Sequence, residues 1–182
     1  MSKRILLYNY ISFIRFYLIF HLKFQYINSI ALDEEKYPVS HVMSNGDIFM
    51  ITDKRALVLD SSLGSIKKYH NFETSIIIDT EEKAARTTIS QFPNDYIIAL
   101  YNDILFVYSS IGEYIYEDNL SSYLGGSYYS LIPYKKDSDN NYDYYYIIAF
   151  FRNATLNIQY YKLSMMGSQK QNNKLSEKTI NQ

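Results

Sequence analysis

Cysteine and tryptophan are both absent from the 182 residues, and glycine and proline are scarce at 6 and 3. Without cysteine there is no disulfide framework, no thiolate zinc site and no thiol nucleophile. The absence does not assign a compartment, because a secreted domain with an adequate core needs no disulfide. Histidine is nearly as rare: His21, His41 and His70 are scattered, without the spacing of metal ligands. An excess of one charge is missing too. With 18 Lys and Arg against 19 Asp and Glu, no clustered basic face is available for a phosphate backbone, which excludes nucleic acid as a partner.

Tyrosine is abundant, with 21 residues, and the hydrophobic fraction is 47%. That fraction suffices for a packed core in one modest domain with extensions. The tyrosine excess has two readings. A coding composition rich in A and T explains it together with abundant Ile, Asn, Lys and Ser. An aromatic surface for a protein or a glycan also fits, since Tyr joins a rigid apolar plate to a polar handle.

Residues 1–31 differ from the rest. Lys3 and Arg4 precede an apolar stretch from Ile5 to Phe20, and Ser29-Ile30-Ala31 places small residues before an abrupt acidic Asp33-Glu34-Glu35. This is the order of a cleaved signal peptide. Arg15 interrupts the run, which therefore falls short of the roughly 20 apolar residues that a spanning helix needs. An uncleaved signal anchor is the second reading, and an N-terminal hydrophobic helix is expected in either case. Asn119-Leu120-Ser121 and Asn153-Ala154-Thr155 satisfy the N-glycosylation pattern, which fits export but is common by chance in so Asn-rich a chain.

From residue 32 to 163 the chain reads as strand, turn, strand, and it repeats itself. Asp47 to Tyr69 lies without a gap over Asp95 to Glu117 at an offset of 48, Ser61 falling on Ser109. In the first unit Asn45-Gly46-Asp47 marks a tight turn. The apolar runs Ile48–Ile51 and Ala56–Leu59 follow, then Asp60-Ser61-Ser62-Leu63-Gly64 turns again and Ser65–Tyr69 forms an outer strand. The second unit copies this with Tyr96–Leu100, Ile104–Tyr108, a Ser109-Ser110-Ile111-Gly112 turn and an outer strand from Glu113 to Glu117. A third begins at Tyr146-Ile147-Ile148-Ala149, identical to Tyr96-Ile97-Ile98-Ala99 at an offset of 50, and continues with Thr155–Tyr160. No outer strand is evident after it. Residues 164–182 are polar, lack periodicity and read as a disordered tail. Between the first two units, Ser75–Asp79 is a strand candidate and Glu81–Arg86 a helical turn.

The order Asn-Gly-Asp, strand, polar turn, strand, Asp-Ser-Ser-x-Gly, strand, seen from Asn45 to Tyr69, resembles a β-propeller blade of the WD40-like or quinoprotein-like kind. The resemblance covers Val39 to Tyr161. It implies an all-β fold of tandem antiparallel β-meanders, with about two and a half blades. The Gly-His and Trp-Asp signatures of WD40 repeats are missing, and without tryptophan no quinone-docking motif carries over. Propellers close with about four to eight blades. So short a series leaves three alternatives: the opening fragment of a larger gene, an open stack, or completion by association. A truncated or divergent paralogue is the expectation.

No constellation of catalytic residues emerges. The turn residues Asp47, Asp95, Asp60 and Asp103 offer carboxylates of the kind that cleave glycosides, but turn aspartates ordinarily bond their own backbone. Asp137 to Asp143 places oxygen ligands at alternate positions like a calcium loop. Tyr142 then stands where an EF-hand needs Gly, and Ile148 where it needs Glu. Gly125-Gly126 is no phosphate cradle, and Ser127-Tyr128-Tyr129 begins a strand. His70-Asn71 reads as a polar bend. Strand alternation in Tyr142–Tyr146 buries some rings and leaves the others half exposed. The sequence thus predicts no catalytic, cofactor-binding or metal-binding residue. The expected protein is a secreted or surface-exposed, non-catalytic binding or scaffolding module with a protein or glycan partner, meeting membrane only if the N-terminal segment stays uncleaved. The alternatives are a fragment of a propeller enzyme, such as a glycoside-processing one, and a membrane-anchored ectodomain.

Overall fold

Among the described residues, alternation and turn chemistry are realised as twelve strands. The computed structural model describes residue 36 and residues 38–62, 65–72, 86–93, 96–134, 143–166 and 170–180. The first sheet contains β1 (Val39–Val42), β2 (Ile48–Ile51), β3 (Arg55–Leu59) and β4 (Ile66–Asn71). The second contains β5 (Thr88–Gln91), β6 (Ile97–Tyr101), β7 (Ile104–Tyr108) and β8 (Tyr114–Asn119). The third contains β9 (Ser127–Tyr134), β10 (Asp143–Arg152), β11 (Thr155–Ser164) and β12 (Gln171–Ile180). Each sheet is an antiparallel meander in chain order. Among the described residues no helix is long and apolar enough to cross a membrane. The expected leader helix and signal sequence of residues 1–31, Ser75–Asp79 and most of Glu81–Arg86 lie outside the described residues.

Tight turns set the hairpins. In the second and third sheets two residues close the central hairpin, Asn102-Asp103 at φ 49° and 63° and Asn153-Ala154 at 51° and 60°. Paired positive φ values match the right-handed strand twist. Asn and Asp tolerate this region, whereas Ala154 is strained there.

The sheets stack in sequence. Phe49, Ile51, Ala56 and Val58 of the first pack with Ile97, Ala99, Phe106 and Tyr108 of the second. The opposite face of the second, Ile98, Leu100, Leu105 and Val107, packs with Tyr146, Ile148, Phe150 and Tyr161 of the third. The middle sheet is covered twice, so β6 is buried at every position and its sequence is an unbroken apolar run.

Strand pairing corrects the repeat register. Ile48 pairs with Leu59 and Ile97 with Tyr108, so equivalent hairpin residues lie 49 apart (97 − 48 and 108 − 59). Ile148 pairs with Gln159, a further 51 along (148 − 97 and 159 − 108). The offsets of 48 and 50 are each one residue short across the hairpins. The offset of 48 holds only in the outer strands, where Asn71 opposite Arg55 matches Asn119 opposite Ile104. The turn between Leu59 and Ile66 is one residue longer than that between Tyr108 and Tyr114, which accounts for the slip. A shift of one exchanges the two faces of a strand, and the corrected offsets restore a consistent order. Phe49 and Val58 correspond to Ile98 and Val107, and Ile97 and Ala99 to Ile148 and Phe150. Each sheet therefore offers one kind of face forward and the other backward.

The third unit is complete, contrary to the reading of two and a half. Residues 164–182 are not a disordered tail throughout: β11 runs to Ser164, and Gln171–Ile180 pairs with it along its length. An outermost strand has one neighbour and mostly solvent around its side chains, so it carries no apolar periodicity to detect. Thr88–Gln91 was equally invisible, being short and half-buried. Tyr144, Tyr145 and Tyr146 are all buried instead of alternating, and His70 and Asn71 sit within β4 instead of at a bend.

Gly112 joins two sheets. Its φ is +80°, and a Cβ there would overlap Val58 Cγ2 of the first sheet. Gly46 has a similar φ of +87°, and a Cβ there would meet only Ser61 Cβ, at an ordinary contact of 4.0 Å. Gly112→Ala is expected to destabilise by about 2–3 kcal/mol and Gly46→Ala by only about 1 kcal/mol, adding overpacking to backbone strain in the first case alone. Urea denaturation of both variants checks this, and equal losses would contradict it.

Candidate functional site

Of the carboxylates that the sequence offered for chemistry, Asp47, Asp60 and Asp103 are engaged structurally. Asp47 accepts Ser61 N at 3.1 Å and Lys67 Nζ at 2.7 Å. The Lys67 hydrogen bond in particular holds its pKa below the usual carboxylate value. Asp60 caps its own turn, accepting Ser62 N at 2.9 Å. Asp103 accepts the Tyr129 hydroxyl at 2.9 Å and so ties the second sheet to the third. Asp95 and the calcium-like segment up to Tyr142 lie outside the described residues. Asp143, at the end of that segment, pairs with Lys162 at 2.8 Å and accepts Ser164 Oγ at 2.9 Å. Among the described residues no group of three His, Asp or Glu is placed to hold a metal ion. Asn119 is exposed and its Oδ1 accepts Ser121 N at 2.9 Å, and Asn153 stands exposed at a hairpin tip.

Among the described residues, two clefts lie between outer strands of neighbouring sheets. The smaller, of about 410 Å³, runs between β4 and the start of β8 and is lined by Lys68, His70, Glu113 and Tyr114. Lys68 Nζ bridges it to Glu113 at 2.6 Å. The His70 ring stacks on Tyr114 with centroids 4.2 Å apart, and its Nδ1 lies 3.1 Å from the Tyr108 hydroxyl. Burial lowers the His70 pKa, with the negative charge of Glu117 acting in the opposite sense.

The larger cleft, of about 440 Å³, runs between β8 and β12 and includes Asp118, Tyr123, Tyr161, Asn172, Lys174 and Glu177 in its lining. Its floor is a pair of hydrogen-bonded chains. Tyr146 donates to Asn172 Oδ1 at 2.8 Å, and Asn172 Nδ2 donates to Asp118 at 2.8 Å. Tyr161 donates to Gln159 Oε1 at 2.6 Å, and Gln159 Nε2 donates to the Tyr123 carbonyl at 3.0 Å and to Glu177 at 3.3 Å. The two tyrosine rings stack at 5.0 Å and 5°, joining the chains. Lys174 closes the rim, 2.6 Å from Glu177 and 5.2 Å from the centroid of the Tyr123 ring. A buried polar network in which each amide and hydroxyl is satisfied fixes a single arrangement. This cleft escaped sequence reasoning because half of it belongs to β12.

Burial raises the pKa of both Tyr146 and Tyr161, chiefly through desolvation of the phenolate. A phenol raised in the folded state contributes stability that is complete below its unfolded pKa and declines as pH rises through the folded value. Absorbance at 295 nm should therefore show these two hydroxyls ionising above the ordinary tyrosine range, their loss of stability beginning near pH 10. Asn172→Ala is expected to cost about 2 kcal/mol, read by urea denaturation, by leaving the Tyr146 hydroxyl without its acceptor.

No family model and no curated protein matches the chain. Solved structures share its fold. The complex of the fission yeast SREBP-SCAP binding domains aligns with 86% of this chain at a TM-score of 0.57 and 11% identity. This chain spans 40% of that chain's length. The WD40 domain of SCAP from fission yeast aligns with 84% of this chain and 37% of its own at a TM-score of 0.45 and 12% identity, too weak a likeness to add to the case. Identity this low is a likeness of fold alone. Three stacked four-stranded meanders in head-to-tail order are the blade pattern of a β-propeller.

Proposed function

We propose that this chain is a non-catalytic protein-binding module built from propeller blades and delivered through the secretory pathway. The cleft between β8 and β12 carries the first part. Its rim presents Tyr123, 47% exposed, and Leu175 beside Lys174 and Glu177, over a floor whose hydrogen bonds are already made. An aromatic anchor, an aliphatic neighbour and paired charges held by a rigid network make up a preorganised protein-binding surface. The neighbouring fold is that of binding domains by its printed description, which supports the same reading. Export is supported by the basic, apolar and small-residue order of residues 1–31.

Two measurements test this. A photo-cross-linking residue at Leu175 should capture in its own cells the protein that co-purifies with the tagged chain, and Tyr123→Ala with Lys174→Glu should reduce that capture at least tenfold, as loss of an interface anchor does. Undiminished capture by the double variant would exclude the cleft. A C-terminally tagged chain should appear in the secretory pathway with a mature N-terminus near residue 32. Cytosolic retention with Met1 intact would exclude export, and carbonate-resistant material with Met1 intact would replace cleavage by anchoring.

A further inference from the structure

Histidines scattered in the sequence are gathered by the fold at one joint. His41 lies in β1 and His70 in β4, at opposite edges of the first sheet. Both are half-buried where that sheet meets the second. The His70 ring contacts Phe106 and Tyr108 of β7 at 6.1 and 5.9 Å between centroids, besides its stack on Tyr114 of β8. His41 bonds the Gln91 side chain of β5, which also accepts Ser44 N at 2.9 Å. Among the described residues the joint between the second and third sheets holds no histidine.

At the outer edge the geometry requires a neutral ring. Tyr108 is fully buried, and its hydroxyl lies 3.1 Å from His70 Nδ1. A phenol has one hydrogen to donate, and an imidazole with its proton on Nε2 accepts it at Nδ1. The imidazolium carries hydrogen on both nitrogens, so protonation leaves the buried Tyr108 hydroxyl without its acceptor, which is costly. The titratable groups facing the ring are Tyr108 of β7, Tyr114 and Glu117 of β8, and Lys68 of its own strand, which pairs with Glu113 at 2.6 Å. Arg55 of β3 is turned to Tyr69 instead, 5.9 Å from that ring's centroid. Burial lowers the His70 pKa against the charge of Glu117. At the inner edge burial lowers the His41 pKa against the bond to Gln91, which is uncharged.

We propose that the joint between the first and second sheets is an acid-sensitive latch, closed while His70 at its outer edge and His41 at its inner edge are neutral. A base whose pKa is lowered on folding contributes stability that is complete above its unfolded pKa, about 6.5 for histidine, and is lost as pH falls through its folded value. The joint between the second and third sheets lacks this response. Tyr129, Tyr146 and Tyr161 tie it, and all three keep their protons throughout this range because burial raises their pKa. Release of the latch frees β4 from β8 and opens the smaller cleft, whose lining includes His70 and Tyr114. Mild acidity thus loosens the first sheet and leaves the second and third seated. The latch depends neither on the β8–β12 cleft nor on export.

Hydrogen exchange of the full purified chain, corrected for intrinsic amide rates, tests this at about pH 7.5 and about pH 5.5, on either side of the ordinary histidine value. Protection of the β3 and β4 amides should fall about threefold or more on acidification, while that of the β10 and β11 amides stays within about twofold. His41→Gln combined with His70→Gln should abolish that difference between the sheets. Titration of the wild-type imidazoles by nuclear magnetic resonance serves if the double variant does not fold: both should titrate below about 6.5, with the His70 proton on Nε2 in the neutral form. Equal losses in the first and third sheets would overturn the latch. So would a double variant that keeps the difference, or either imidazole titrating at or above the ordinary value.

Discussion

The second sheet is buried on both faces, and everything else in the fold leans on it. β6 and β7 contribute Ile97, Ala99, Phe106 and Tyr108 to one neighbour and Ile98, Leu100, Leu105 and Val107 to the other. A sheet flanked on both sides has no solvent face on which to place polar residues, so its strands must be apolar throughout. Among the described residues, each outer sheet packs one face on it. Polar contacts then fix how they are seated: Tyr129 on Asp103, Lys68 on Glu113, Tyr101 on the Asp53 carbonyl. Burial supplies the free energy, and these directional bonds select one arrangement among the many that apolar faces would accept.

The positions that looked chemical in isolation turn out to be joints. Asp47 gathers a turn, a lysine and a backbone amide; Asp103 ties two sheets; Asp143 closes the end of a hairpin. A carboxylate satisfied in this way has its charge and its lone pairs committed to holding the fold. The clefts follow the same logic. They arise where outer strands of adjacent blades diverge, and their linings combine aromatic plates with hydrogen-bonded pairs.

Much of the architecture was legible because local chemistry and tertiary role agree. Ile48–Ile51, Arg55–Leu59 and Ile104–Tyr108 announce themselves by apolar content between polar turns, and Asn45-Gly46 by its turn propensity. What escaped did so for physical reasons. Thr88–Gln91 and Gln171–Ile180 are held by backbone pairing more than by side-chain burial, and sequence patterns register burial. The repeat was found one residue out of register because a gapless overlay rewards the Ser61-Ser62 and Ser109-Ser110 match in the turns. Those turns differ in length, and that difference sets which face each strand shows. Tyr145 broke the expected alternation because it is buried on the face opposite Tyr144 and Tyr146. The β8–β12 cleft could not be read at all until β12 existed as a strand.

The stacked pair of Tyr146 and Tyr161 has an optical consequence. A chain without tryptophan emits from tyrosine alone, with no indole to drain its excitation. Two parallel rings 5.0 Å apart, one from each central strand of the third sheet and each hydrogen-bonded to an amide side chain, are a couple whose emission is expected to change when that sheet loosens. The molecule thus contains its own spectroscopic gauge of whether β12 is docked, readable without any label.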